Sequence, residues 1–266
     1  MSSITTDQGI LHYEVLGRGK PVILLHGWLG SWGLWQETMA FLSRYYRTYA
    51  MDFWGFGESE KRRSSYHVND FVSMVDQFME QLGIQKAPLV GHSMGGTVSL
   101  MVAIRYPQRV EKVTVIGSPI IGSSLSWLLK AFGLRPIAYL VYHNLWLLRL
   151  GFQVLAPLYS RDPNWPQMMS RDLSQSTLDS FLISIISLLE TDLRSELPKI
   201  QVPVLGMYGE RDLVVDPRQW QTLKAGVAHA RIERFPSAGH FIMLDEPEAF
   251  RACLMDFLQD GSDGSS

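Results

Sequence analysis

Gly91-His92-Ser93-Met94-Gly95-Gly96 is the stretch whose residue types and spacing best fit chemistry. A serine hydroxyl is a weak nucleophile until it is exposed, held near a base and set beside donors for the negative charge its attack creates. A very tight turn between a strand and a helix does all three, at the cost of a strained backbone. The flanks match: residues 88–90 are a short apolar run, and 97–106 are compatible with a helix that Pro107 stops. Glycines at 91 and 95 let strand and helix approach closely around the serine. The helix begins right after Ser93, so its free N–H groups face the place where charge would develop. By itself Gly-x-Ser-x-Gly also fits an ordinary tight turn, and the rest of the chain decides between the two.

Elements that could position such a serine recur along the chain. Residues 10–16, 22–25, 46–51, 88–90, 113–116, 204–208 and 230–235 read as strands bounded by turn residues. Helical patterns fall between them. One follows Ser31, with Trp32, Trp35, Met39 and Leu42 on a stripe. Another covers 69–82, aligns Phe71, Val75, Phe78 and Leu82, and stops at Gly83. Two more cover about 217–225 and 247–258. This alternation implies an α/β fold, a mostly parallel central sheet of about eight strands with helices on both faces. In such sheets ligands bind beyond the carboxyl ends of the strands. Four polar or glycine-rich segments fall at such ends: His26-Gly27-Trp28, Ser93, Asp212 and His240. The rhythm breaks once, over 119–194, which reads as helices and turns.

A chain of 266 residues suffices for one large α/β domain or a core with an inserted subdomain. With 46% apolar and 19% charged residues it reads as globular, and a net charge of −2 leaves no footprint for nucleic acid or an anionic membrane. A single cysteine, Cys253, excludes an intrachain disulfide and a thiolate metal site; a buried, inert thiol is expected. Residues 1–7 lack the basic start and apolar run of a signal peptide, so a cytoplasmic location is expected. Residues 260–266, only Gly, Ser and Asp, are expected to form a disordered tail.

Serine, acid and histidine stand in the order Ser93, Asp212, His240. Taken with His26-Gly27, Asp52-x-x-Gly55-x-Gly57-x-Ser59, the turn at Ser93, Gly209-x-x-Asp212 and Gly239-His240-Phe241, the sequence resembles the α/β-hydrolase superfamily over nearly its whole length. The likeness is greatest to the branch of small carboxylesterases, carbon–carbon bond hydrolases and cofactor-free haloperoxidases. The resemblance implies a core made of residues 1–118 and 196–259, with an inserted helical cap over 119–195. It implies that Ser93 attacks an acyl carbon, His240 carries the proton and Asp212 orients the imidazole. The backbone N–H groups of Trp28 and Met94 would hold the oxyanion. It implies no metal and no organic cofactor, and a small apolar ester as substrate. Asp216, four residues beyond Asp212, is the rival acid. His26 is expected to brace the oxyanion loop, His92 to pack, and Asp52 and Glu58 to tie down their own loop. His12, His67, His143 and His229 have no motif around them. A serine at 93 argues against dehalogenase or epoxide hydrolase chemistry, which needs a carboxylate nucleophile.

The inserted region is unusually apolar, as in Leu145-Trp146-Leu147-Leu148. Arg135 and Arg149 bracket an uncharged run far short of the ~20 residues a membrane span needs. Three readings remain: packing of cap on core, an apolar substrate pocket, and transient docking to a lipid surface. Ester hydrolysis leads among four functions. Carbon–carbon bond hydrolysis would want polar or basic groups in the pocket. Perhydrolysis or halide oxidation goes, in similar proteins, with proline where this chain has Leu29. A non-catalytic sensor of the same fold would keep the pocket without turnover. The oligomeric state is not readable from the chain.

Overall fold

The computed structural model describes residues 2–62 and 65–260. Of the expected tail, residues 261–266 lie outside the described residues. The first half of the chain builds β1 (Ser2–Thr6), β2 (Gly9–Gly17), β3 (Pro21–Leu25), α1 (Gln36–Leu42), β4 (Arg47–Met51), α2 (Val68–Gln81), β5 (Ala87–His92), α3 (Met94–Arg105) and β6 (Val110–Ile116). Five helices follow: α4 (Trp127–Phe132), α5 (Arg135–Tyr142), α6 (Leu145–Tyr159), α7 (Trp165–Ser174) and α8 (Leu178–Glu190). The chain then returns with β7 (Val204–Gly209), α9 (Gln219–Gly226), β8 (Arg231–Phe235), α10 (Ile242–Asp245) and α11 (Pro247–Gln259).

The strands form one sheet of eight in the order β1-β2-β4-β3-β5-β6-β7-β8. The first two pairings are antiparallel and the rest parallel. Strand β1 goes beyond the sequence expectation. Its five residues carry little apolar signal and reach the sheet by pairing with β2, from Ser2 opposite Tyr13 to Thr6 opposite Gly9. The helix expected after Ser31 begins as a 3-10 turn, Trp32–Trp35, capped by the Ser31 hydroxyl accepting from Gly33 N–H, before α1 starts. Trp35, Met39 and Leu42 bury as their spacing implies. Helix α2 buries Phe71, Val75 and Phe78, and Gly83 stops it at φ +67°.

Register places the strand ends. Leu25 is opposite both Met51 and Gly91, and Gly91 is opposite Val115. The segments that follow those strands, starting at His26, Asp52 and Ser93, therefore leave the sheet along one edge. Gly209 pairs with Phe235, so the β7 and β8 exits, with Asp212 and His240, leave beside them.

Helices α4 to α8 sit between β6 and β7 in sequence. The two ends of this insertion meet: Ile121 bridges to Asp192, and Leu193 N–H donates to Ile120 O (3.0 Å). Side chains fasten it to the core at several further points. Trp28 Nε1–H donates to Phe181 O (3.1 Å), Ser180 Oγ–H to Gly55 O (2.8 Å), and Ser31 Oγ–H to the buried Asp172 Oδ1 (3.0 Å). Burial pushes the Asp172 carboxyl up to about 6, against the opposing pull of Arg171 and Ser31.

Candidate active site

Ser93 sits between β5 and α3 with φ +51° and ψ −119°, a conformation that side-chain-bearing residues rarely adopt. Its N–H donates to Ile116 O (2.8 Å), which pins the turn to β6. Close approach explains the flanking glycines. A Cβ at Gly91 would stand 2.2 Å from Gly95 O, and one at Gly95 would stand 2.3 Å from Leu25 O. Met94 opens α3, so its N–H has no acceptor inside the helix and points out at the serine end.

His240 and Asp212 are brought together. His240 Nδ1–H donates to Asp212 Oδ2 (2.7 Å), and both side chains are buried. The other carboxylate oxygen, Oδ1, accepts the N–H groups of Val214 (2.7 Å) and Val215 (2.9 Å), so Asp212 is held on both sides. Asp216 is not part of this arrangement. It is bound by the Arg218 guanidinium and backbone, and these contacts hold its carboxyl below the usual range. Among the described residues Ser93 Oγ makes no hydrogen bond. Serine and His240 share instead the lining of one cavity.

His92 packs its ring 4.6 Å from that of His240 and donates from Nε2–H to His240 O (3.0 Å). Burial, and then the neighbouring His240, hold its pKa well below the ordinary value, so it is neutral and fixes the histidine loop. The Asp245 carboxylate fixes the same loop by accepting Gly239 N–H (2.8 Å), and reaches the insertion by accepting Ser160 Oγ–H (2.8 Å).

The loop after β3 lies against the elbow: a Cβ on Gly27 would stand 3.0 Å from Ser93 Cβ. His26 braces it. Phe53 N–H donates to His26 Nε2 (3.0 Å), which leaves the proton on Nδ1 to donate to Gly27 O (2.7 Å). Leu29 has φ +56°; with Ser93 it is one of two non-glycine residues at positive φ among the described residues. The amides of Trp28 and Leu29 make no hydrogen bond to any described residue. Asp52 ties the next loop by accepting the N–H of Trp32 on Oδ1 (2.6 Å) and of Glu58 on Oδ2 (2.9 Å).

His12 adds a buried pair that the sequence reading did not name. It has no motif around it, yet it is buried with its Nδ1 2.8 Å from Asp52 Oδ2. Burial pulls its pKa down, but the hydrogen bond and charge of Asp52 more than offset this, and the pKa is raised. No local signal could have found the pair, because its partners are 40 residues apart.

A cavity of about 290 Å³ opens over Ser93, under α4, α6, α7 and α8. Its polar lining is confined to Ser93, His92, His240, Ser126 and Tyr159; the rest is apolar, with Trp28, Phe132, Phe152 and Trp165 as the largest side chains. No Lys, Arg, Asp or Glu lines it. A roomier cleft of about 390 Å³ lies between α2, α3 and the end of α8, includes none of these residues, and is polar. Among the described residues no group of three or more His, Cys, Asp or Glu is placed to hold a metal ion.

Comparison with known proteins agrees with this architecture. The model of the alpha/beta hydrolase fold family matches residues 20–140. The chain is 28% identical over 257 residues to the pimeloyl-[acyl-carrier protein] methyl ester esterase of Vibrio campbellii, covering 93% of this chain and 98% of that protein. It is 27% identical to 3-oxoadipate enol-lactonase 2 of Acinetobacter baylyi, covering 93% and 92%. Among solved structures, an esterase from Exiguobacterium antarcticum superposes with a TM-score of 0.86 at 23% identity, over 97% of this chain and 99% of that one.

Proposed function

The chain is a member of the α/β-hydrolase superfamily, and from that premise we propose that it is a serine hydrolase cleaving a hydrophobic carboxylic ester through an acyl-enzyme. The observation that carries this reading is the strained Ser93 and His240 lining one apolar cavity, with Asp212 bonded to His240 behind it. Ser93 Oγ attacks the acyl carbon as His240 Nε2 takes its proton. Asp212 keeps the imidazole in the tautomer that leaves Nε2 free to accept, and stabilises the cation that forms. The oxyanion is held by the N–H of Met94 and of Trp28, and His240 returns the proton to the departing alcohol. Water then repeats the sequence on the acyl-enzyme. The insertion acts as the cap, and the site works without a metal or organic cofactor. The cap lining offers no basic side chain to grip a carboxylate or enolate, which weighs against carbon–carbon bond hydrolysis. An ester bond is also what the Vibrio campbellii relative's name describes. A single cysteine, with no intrachain disulfide possible, fits a reducing compartment.

Aryl esters of graded acyl length test the proposal. Each added methylene that finds apolar wall is worth up to ~0.8 kcal/mol. The cavity lies near the small end of ligand pockets, which span roughly 300–1,000 Å³. We expect kcat/KM to rise from acetyl to medium acyl lengths and then fall. A steady decline from acetyl onwards would sink the apolar-ester reading.

The second oxyanion donor has its own test. Trp28→Pro deletes one N–H, since proline has no amide hydrogen. Loss of one such donor typically costs ~2.7–4 kcal/mol of transition-state stabilisation, roughly 10²–10³ in kcat. Trp28→Phe keeps the N–H but loses the indole bond to Phe181 O, so turnover is expected to survive with a changed acyl preference. Near-normal kcat in a folded Trp28→Pro protein would move the role to Leu29, whose amide is also unpaired among the described residues.

A further inference from the structure

Helix α6 is apolar on both sides. Its inner stripe, including Leu148, Phe152 and Tyr159, is half-buried and lines the cavity. Its outer stripe, Trp146, Leu150, Val154 and Leu158, recurs every four residues and is 48–67% exposed. No residue of α6 is fully buried. A surface helix ordinarily turns a polar face outward, and a helix apolar all round ordinarily lies inside something. The helices packed in series against it also expose large apolar side chains: Trp127 of α4 is 78% exposed, and Tyr139 and Leu140 of α5 are exposed as well. So many exposed large apolar side chains on adjoining helices mark an interaction site.

Charge identifies the partner. Residues 112–161 contain no Asp or Glu. Lys130, Arg135, Arg149 and Arg161 are all exposed there, and none forms an ion pair with a described residue. The chain as a whole carries a net charge of −2, which hides this local excess of cations. Exposed Trp and Tyr, a leucine-rich outer face and unpaired Lys and Arg together form the pattern of a helix that lies in a membrane interface. Among the described residues no helix is long and apolar enough to cross a membrane, so the surface can only lie on one.

We propose that the outer face of α4 to α6 docks reversibly on an anionic lipid surface. Leu147 and Leu155 are exposed and also line the cavity, so the docking face runs into the site. On the serine-hydrolase reading, on which this clause rests, the ester enters from the lipid side.

Flotation of the full chain with vesicles tests the docking without any need for turnover. The protein is expected to float with vesicles of phosphatidylcholine and phosphatidylglycerol in equal parts. It should do so at least ~5-fold less with phosphatidylcholine alone, or in about 0.5 M NaCl, where screening removes the attraction. The double variant Leu150→Glu/Val154→Glu alters only the outer stripe and is expected to lose flotation ~10-fold or more while hydrolysing a water-soluble aryl ester as the wild type does. Should that variant misfold, Arg135→Glu/Arg149→Glu carries the same expectation for anionic vesicles. A wild-type protein that stays unbound, or folded variants that float equally well, would overturn the proposal. A wild-type dimer that the double variant dissociates would also overturn it by assigning the face to a second copy. Flotation without ester turnover supports docking and counts only against the hydrolase reading.

Discussion

Replacing Ser93 with alanine is expected to lower kcat on aryl esters by a factor of at least ~10³ without unfolding the protein, and His240→Ala to do comparably. The two should not be additive, because nucleophile and base act as a unit: the double variant should be about as slow as either single one. Ser93 adds a second readout. At φ +51° it occupies a conformation that costs a residue with a Cβ about 1–3 kcal/mol. Ser93→Gly should therefore be as inactive as Ser93→Ala yet melt at a higher temperature. Thermal unfolding beside single-turnover kinetics checks both halves. Ester hydrolysis near the wild-type rate in a folded Ser93→Ala protein would show that the nucleophile is elsewhere.

Substituting Asp212 by asparagine should cost about 10³–10⁴ in kcat, while Asp216→Asn should change it by no more than a few-fold. The contrast follows from their partners. Asp212 accepts His240 Nδ1–H, and an amide in its place presents an N–H that selects the opposite imidazole tautomer, with Nε2 protonated and unable to act as a base. Asp216 is committed to Arg218, at the surface, and breaking an exposed pair of that kind costs ~0.2–1 kcal/mol of stability. Steady-state kinetics on both variants settles the ranking, and the reverse order would transfer the role to Asp216.

Some elements of the fold were legible because their signals are local. The buried strands β3 and β5 are short apolar runs, and α2 repeats its core residues at helical spacing. The elbow at Ser93 announces itself because only glycine fits where Gly91 and Gly95 meet neighbouring backbone. Strand β1 was not legible, because an edge strand of mostly polar residues is stabilised by its partner rather than by its own pattern. The 3-10 start before α1 was missed for a similar reason: Trp32 N–H is held by Asp52, twenty residues away.

For the candidate site, residue types and order alone determined which serine, acids and histidines were worth considering, since a hydroxyl nucleophile demands a tight turn and a base. They also determined that the inserted region is apolar and almost free of acidic residues. The family resemblance favoured Asp212 over Asp216, four residues apart in one loop, but only tertiary structure supplies a physical contrast between them, because a 2.7 Å bond to His240 depends on how β7 and β8 leave the sheet. Only tertiary structure tied His12 to Asp52 and Ser31 to Asp172, pairs distant in the chain and buried together. The same holds for the two sides of α6. An apolar helix reads identically whether it faces a core, a cavity or water. Its packing on α7 and the cavity wall decides which stripe is covered and which is left for a partner.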